Sequence, residues 1–129
     1  MTDKKIVLAI DDNVQQLSEF RNMLSPKYDL RVVKSAVEAL SFLNREVTDI
    51  ILLDIEMPNI SGFEFLDDIK NIPSYENVPV IIVSGSDDEE FMDKAMNSSA
   101  ADILIKPVNP DVLIKTIEKN LSADMLINI

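Results

Sequence analysis

Short runs of apolar residues alternate along the chain with segments whose apolar positions recur at helical spacing. The apolar runs cover residues 6–10, 30–33, 49–53, 78–83 and 103–105. Nearly continuous apolar runs of this length are typical of strands that are buried on both faces. Helical spacing recurs over residues 14–24, 35–43, 63–69, 87–97 and 109–121. The pattern therefore predicts five strands that alternate with five helices.

Alternating strands and helices of this length predict one α/β domain with a doubly wound, five-stranded parallel sheet. Each strand–helix–strand crossover is right-handed and covers one face of the sheet, so the helices lie on both faces. We assign residues 1–121 to this domain. Residues 122–129 are ambiguous: their apolar side chains allow a C-terminal tail, the start of a linker or a continuation of the last helix.

Local signals support several boundaries of these elements. Pro26 ends the first helical segment. Ser35, with Glu38 three residues later, has the pattern of a capping box at the second helix. Asn109 or Asp111 is expected to cap the last helix, and Pro110 suits its first turn.

Composition narrows the classes of function. The 129-residue chain has a formal net charge of −11, which disfavours direct binding to nucleic acid. It contains no cysteine and no histidine, which excludes disulfides, zinc–thiolate sites and the usual general base. We see neither a signal peptide nor an apolar run long enough to span a membrane, so we expect a cytoplasmic protein without membrane contact.

Polar residues follow the predicted strands at the edge where parallel sheets bind ligands. Asp11 and Asp12 follow the first strand, and Asp54 follows the third. Ser84 ends the fourth strand, and Lys106 ends the fifth. We therefore expect three carboxylates, a hydroxyl and an ammonium to converge at one edge of the sheet.

This combination of groups suits phosphoryl chemistry. Neighbouring carboxylates repel one another unless a cation joins them, and an oxygen-only donor set favours Mg²⁺, with Mn²⁺ as an alternative. Lys106 adds a second positive charge, and a carboxylate can attack a phosphoryl group in line. Each residue also has an ordinary interpretation, since Asp11 and Asp12 could simply cap a helix. The conjunction at successive strand ends is the specific signal.

The chain resembles the receiver domain of two-component response regulators over about residues 4–121. The resemblance rests on the acidic pair at 11–12, the segment 54–62 with its Asp, Met-Pro and Gly, the segment 80–85, and Ile105-Lys106-Pro107. It implies a flavodoxin-like strand order of 2-1-3-4-5, as in the CheY-like family.

The resemblance also implies the metal ligands. Asp12 and Asp54 are expected to bind Mg²⁺ directly, and Asp11 mainly through water. The backbone carbonyl of Glu56 is expected to complete the protein's share of the coordination.

The resemblance further implies roles in phosphoryl transfer. Asp54 is expected to be the phosphoacceptor, Lys106 to contact the phosphoryl group, and Ser84 to donate a hydrogen bond to it after transfer. A cis peptide bond before Pro107 is expected to direct Lys106 inward.

Two positions depart from the family pattern. Ile103 stands where many receivers carry an aromatic switch residue, so the switch involving Ser84 and Ile103 either repacks aliphatic side chains or signals by another route. Glu56 places a carboxylate near the entrance to the site, where we expect it to alter self-dephosphorylation.

The predicted function is a phosphoacceptor rather than an enzyme, although it assists its own phosphotransfer and dephosphorylation. Expected partners are a histidine kinase or phosphotransfer protein and a downstream effector domain or protein. The output surface is expected around helix 4, strand 5 and helix 5. The oligomeric state is left open, including a phosphorylation-dependent dimer.

Three other classes of protein share part of this pattern. A haloacid-dehalogenase-type phosphatase needs an Asp-x-Asp motif, whereas Asp11 and Asp12 are adjacent. A flavodoxin-type flavin carrier needs a phosphate loop that does not follow the first strand. A receiver-like interaction module that is never phosphorylated remains the third alternative.

Overall fold

The computed structural model describes residues 4–127, with side chains described through residue 122. Within that range the chain forms five strands, five α-helices and one short 3-10 helix. In chain order they are β1 (Ile6–Ile10), α1 (Val14–Leu24), β2 (Asp29–Val33), α2 (Ala36–Arg45), β3 (Ile50–Asp54), α3 (Gly62–Lys70), the 3-10 helix (Pro73–Tyr75), β4 (Val80–Ser84), α4 (Glu89–Met96), β5 (Asp102–Ile105) and α5 (Pro110–Ile127).

The five strands of the described chain form one parallel sheet in the order β2-β1-β3-β4-β5. The predicted doubly wound α/β fold and its strand order are therefore confirmed. The order reverses at β1, which has β2 on one side and β3 on the other. Crevices at such a reversal, beyond the carboxyl ends of the strands, are where open α/β sheets bind ligands.

Alternate residues of each central strand point into hydrophobic cores on opposite faces of the sheet. In β3, Ile51 and Leu53 face a core formed with α2, α3 and α4, whereas Ile50 and Leu52 face a core formed with α1 and α5. All five residues of β3 are buried. This burial explains why the run is almost continuously apolar: a polar residue on either face would lie in a core.

Side-chain caps fix the starts of the helices. Ser35 Oγ accepts a hydrogen bond from the Glu38 amide at 3.1 Å. The Glu38 carboxylate accepts from the Lys34 amide at 2.8 Å, one residue before the cap, so the predicted capping box is present in a shifted form. Asn109 caps α5, because its Oδ1 accepts from the amides of Asp111 and Val112.

The fourth strand begins two residues later than the sequence pattern predicts. It starts at Val80 rather than Val78. The Lys70 ammonium donates a 2.6 Å hydrogen bond to the Val78 carbonyl, so this carbonyl is bonded to a side chain. The Val78 amide donates to the Tyr75 carbonyl at 3.2 Å, and Pro79 has no amide to donate, so the strand begins only at Val80.

The last helix continues through Ile127, so residues 122–127 extend α5. The division of the chain at residue 121 remains a prediction, and residues 128–129 lie outside the described residues. No helix among residues 4–127 is both long enough and apolar enough to cross a membrane.

Candidate functional site

Three carboxylates meet at the carboxyl ends of β1 and β3. Asp54 is the last residue of β3, and Asp11 and Asp12 directly follow β1, its neighbour in the sheet. One oxygen from each carboxylate lies within 4.8 Å of the others. Asp11 and Asp54 are buried, with 0% and 4% of their surface exposed, whereas Asp12 is exposed. The structure thus brings together the acidic residues that the sequence singled out.

Lys106 reaches the same pocket from the end of β5. Its Nζ donates to Asp11 Oδ2 at 3.1 Å and lies 3.7 Å from Asp54 Oδ2. The Lys106 amide donates to the Ser84 carbonyl at 2.7 Å, which ties its backbone to the end of β4. The peptide bond between Lys106 and Pro107 is cis, as the family resemblance implied.

Backbone amides orient the two buried carboxylates. Asp11 Oδ1 accepts from the Asn13 amide at 2.9 Å, and Asp54 Oδ1 accepts from the Glu56 amide at 3.0 Å. Aspartates often close turns in this way, by accepting from the amide two residues further on. Because one oxygen of each carboxylate is held by its own loop, the other oxygen of each is the one that lies near Lys106.

Burial dominates the electrostatics of Asp54. It raises the pKa of the Asp54 carboxyl from its ordinary value of 3.8 to about 6, because the ionised form loses solvation. The hydrogen bond from the Glu56 amide works against this rise in pKa, the charge of Asp11 adds to it, and the charge of Lys106 again works against it. Positive charge near Asp54 therefore favours its ionised form against the effect of burial.

The donor set of the pocket fits a hard divalent cation. When ionised, the three carboxylates carry three negative charges, and the Lys106 ammonium offsets one of them. All three groups offer oxygen, which Mg²⁺ and Mn²⁺ prefer, and the chain has no histidine or cysteine that would favour zinc. The cluster of Asp11, Asp12 and Asp54 could therefore hold a metal ion.

Ser84 bonds the Glu56 side chain, a contact that the sequence did not predict. Its hydroxyl donates to Glu56 Oε1 at 2.8 Å, and the Gly85 amide donates to the same oxygen at 2.6 Å. These contacts lower the pKa of Glu56, the Gly85 amide most strongly and the Ser84 hydroxyl next. The sequence analysis placed the Glu56 side chain near the entrance of the site but gave no partner for it. The available signal was that β3 and β4 are neighbours and that both residues lie at their ends.

Ile103 lies on β5 with its side chain half-buried. It packs against the core formed with α2, α3 and α4, beside the end of the sheet that carries Ser84. In the register of β4 and β5, Ile103 lies opposite Ile82. An aliphatic side chain thus fills the position at which many receivers carry an aromatic residue.

A cavity of about 330 Å³ opens beside the acidic cluster. The cavity is lined by Asp12, by Lys34, which follows β2, and by loop residues 57–60. Within that loop, Asn59 has a φ of 67°, a left-handed conformation that asparagine adopts more readily than most residues. The acidic cluster is therefore accessible from solvent on the side of Asp12.

The fold and the site together define a class: a doubly wound α/β protein with an acidic pocket and a lysine at the carboxyl edge of its parallel sheet. The sequence profile described as the response regulator receiver domain matches residues 7–118. The chain therefore belongs to the response regulator receiver domain family, which serves two-component signalling.

Individual relatives agree with this family. A probable cyclic di-GMP phosphodiesterase of Vibrio cholerae is 31% identical over 95% of this chain, which spans only 29% of that protein. An uncharacterised 14.6 kDa protein of Leptolyngbya boryana is 32% identical over 88% of this chain and 87% of its own length. The crystal structure of a CheY-like receiver domain protein from Methanospirillum hungatei superposes with a TM-score of 0.86 at 26% identity, covering 95% of this chain and 98% of that one.

Proposed function

We propose that Asp54 accepts a phosphoryl group from a histidine kinase or phosphotransfer protein in a reaction that depends on Mg²⁺. The observation that carries this proposal is the position of Asp54 Oδ2. It lies in a buried pocket 3.7 Å from the Lys106 ammonium and within reach of the Asp11 and Asp12 carboxylates. A single carboxylate oxygen is thus surrounded by the groups that a transferred phosphoryl group requires.

In the proposed transfer, an oxygen of Asp54 attacks the phosphorus of the donor. A bond forms between Asp54 and phosphorus as the donor's P–N bond breaks, and the leaving imidazole takes up a proton. Lys106 offsets negative charge on the phosphoryl oxygens, which requires it to turn from Asp11 toward the new group. Ser84 donates a hydrogen bond to one of these oxygens after transfer.

Asp12 and Asp54 would bind Mg²⁺ directly in this proposal, Asp11 would act mainly through water, and the Glu56 carbonyl would supply a further ligand. The ion, when bound, neutralises charge on the carboxylates and on the phosphoryl oxygens. The observation behind this assignment is the clustering of three carboxylates that one ammonium cannot neutralise.

Phosphorylation would bias a two-state switch. The new group adds charge and acceptor oxygens, draws Ser84 and Lys106 toward Asp54, and alters the surface formed by α4, β5 and α5. Ile103 lies on β5 and packs against the core formed with α2, α3 and α4, so any repacking there would involve an aliphatic side chain. The output would pass to a downstream effector domain or protein.

The proposal is tested by labelling the purified chain with radioactive acetyl phosphate and Mg²⁺. We expect wild type to be labelled and Asp54→Asn to lose the label, because an amide oxygen is a poor nucleophile. Asp68→Asn, a matched change at an exposed position on α3, should retain it. Full labelling of Asp54→Asn would refute the assignment, and no labelling of wild type would favour an interaction module that is never phosphorylated.

A further inference from the structure

The Glu56 carboxylate binds two hydrogen-bond donors beside the proposed phosphoacceptor. One carboxylate oxygen accepts from both the Ser84 hydroxyl at 2.8 Å and the Gly85 amide at 2.6 Å. Ser84 is buried at the end of β4, whereas Glu56 and Gly85 are exposed. An anionic group of the protein thus lies at the mouth of a site that receives an anion.

The two donors are of the kinds that bind phosphoryl oxygens. A serine hydroxyl has one hydrogen to donate, and a backbone amide has one as well. Ser84 therefore cannot donate to Glu56 and to a phosphoryl oxygen at the same time, and the same exclusivity holds for Gly85. Hydrogen bonds to a charged acceptor are also stronger than those to a neutral one.

The Glu56 side chain can leave these donors at a low cost in solvation. Its carboxylate is exposed, so released oxygens would be hydrated at once. Ser84, by contrast, is buried and already fixed by the Ser86 amide, which donates to its oxygen at 2.9 Å. The hydroxyl has the Glu56 carboxylate at 2.8 Å and the Ser86 carbonyl at 3.3 Å as acceptors, and it needs only to exchange these for a phosphoryl oxygen.

We propose that the Glu56 carboxylate is an internal competitor for the phosphoryl group, occupying the Ser84 hydroxyl and the Gly85 amide until a phosphoryl oxygen displaces it. The inference rests on the proposed function of Asp54 and adds a residue that sets how readily the site takes the group. Before phosphorylation, Glu56 accepts the hydrogen bond from the Ser84 hydroxyl. On phosphorylation, the Glu56 carboxylate is released to solvent.

The test measures the affinity for beryllofluoride, a phosphoryl mimic, by isothermal titration calorimetry at saturating Mg²⁺. Glu56→Gln and Glu56→Ala should bind about tenfold more tightly than wild type, a change equal to about 1.4 kcal/mol. Glu56→Asp is the discriminating variant, because it keeps the charge but shortens the side chain by one methylene. Competition predicts that Glu56→Asp resembles Glu56→Gln, whereas simple charge repulsion predicts that it resembles wild type.

A matched control separates this effect from a general loss of negative charge. Glu64, exposed on α3, gives the same change of charge in Glu64→Gln, and its affinity should equal that of wild type. The amide proton of Gly85 supplies a second readout by NMR. It should resonate downfield in wild type and move upfield in Glu56→Asp and Glu56→Ala, while Gly62, the other glycine of the chain, serves as reference.

The outcomes distinguish the inference from the proposed function. Wild type that binds beryllofluoride with the same affinity as all Glu56 variants would overturn the competitor role and leave Asp54 as the acceptor. A Glu56→Asp variant that behaves like wild type in both measurements would also overturn it. Failure of every protein, including wild type, to bind beryllofluoride would refute the proposed function and this inference with it.

Discussion

At the scale of single residues, Asp54 is subject to two opposing effects: burial disfavours its ionised form, and neighbouring donors favour it. Its burial at the end of β3 shields the carboxylate from water, which makes the ionised form costly. Lys106 and the amide of Glu56 offset part of this cost. The part of the burial cost that they do not offset explains why the pKa of Asp54 rises to about 6 rather than falling.

This rise gives a testable dependence of stability on pH in metal-free buffer. Because the folded pKa of about 6 exceeds the ordinary value of 3.8, the contribution of Asp54 to stability falls as pH rises from about 4 to 6. Asp54→Asn cannot ionise, so it should be more stable than wild type by about 1–3 kcal/mol at about pH 7.5. Urea denaturation in EDTA measures the difference, which should be clearly smaller at about pH 5. A difference independent of pH would contradict this account.

At the scale of elements, the loop between β3 and α3 is held by a close contact of its backbone. Ser61 caps α3, and its Oγ accepts from the Glu64 amide at 3.4 Å. Gly62, the first residue of the helix, lies so close to Ile55 that a methyl group there would clash with both its carbonyl oxygen and its side chain. This contact fixes α3 against the segment that follows Asp54.

Gly62→Ala should therefore destabilise the fold by about 1–3 kcal/mol, because the added carbon forces the backbone apart. Gly85→Ala is the matched control, since its added carbon would meet the nearest atom, Glu56 Oε1, at 3.5 Å, an ordinary contact distance. Chemical denaturation of both variants measures the effect. Equal stabilities would show that the loop adjusts freely and that the close approach of Gly62 is not a constraint.

At the scale of the whole molecule, the chain has a formal net charge of −11, and three of its carboxylates lie together at one edge of the sheet. The sheet places Asp11, Asp12 and Asp54 together although they come from the ends of two different strands. Mutual repulsion there opposes folding, and a cation that binds only the folded cluster relieves it. Binding of Mg²⁺ should therefore be coupled to global stability.

We expect about 10 mM MgCl₂ to raise the melting temperature by about 3–8 °C over NaCl of equal ionic strength. Asp12→Asn should lose most of this rise, because it removes a proposed Mg²⁺ ligand without creating a cavity in the hydrophobic core. Asp68→Asn should retain it, since Asp68 is exposed on α3. Thermal denaturation followed by circular dichroism measures the shift. An equal rise for all three proteins would mean that Mg²⁺ stabilises the fold without the cluster of Asp11, Asp12 and Asp54.

The sequence by itself determined the alternation of strands and helices, the helix caps and the residue types at the strand ends. These features depend on interactions within a few residues: apolar runs indicate buried strands, and a cap such as Ser35 bonds an amide three residues away. Even the convergence of Asp54, Ser84 and Lys106 followed, because parallel strands bring their carboxyl ends to one edge.

Only the tertiary structure decided which side chains meet. Lys106 bonds Asp11 across 95 positions, and Glu56 bonds Ser84 across 28. Such contacts depend on side-chain rotamers and on the separation of neighbouring strands, which no local pattern specifies. The hydrogen bond from the Lys70 ammonium to the Val78 carbonyl is a further contact of this kind.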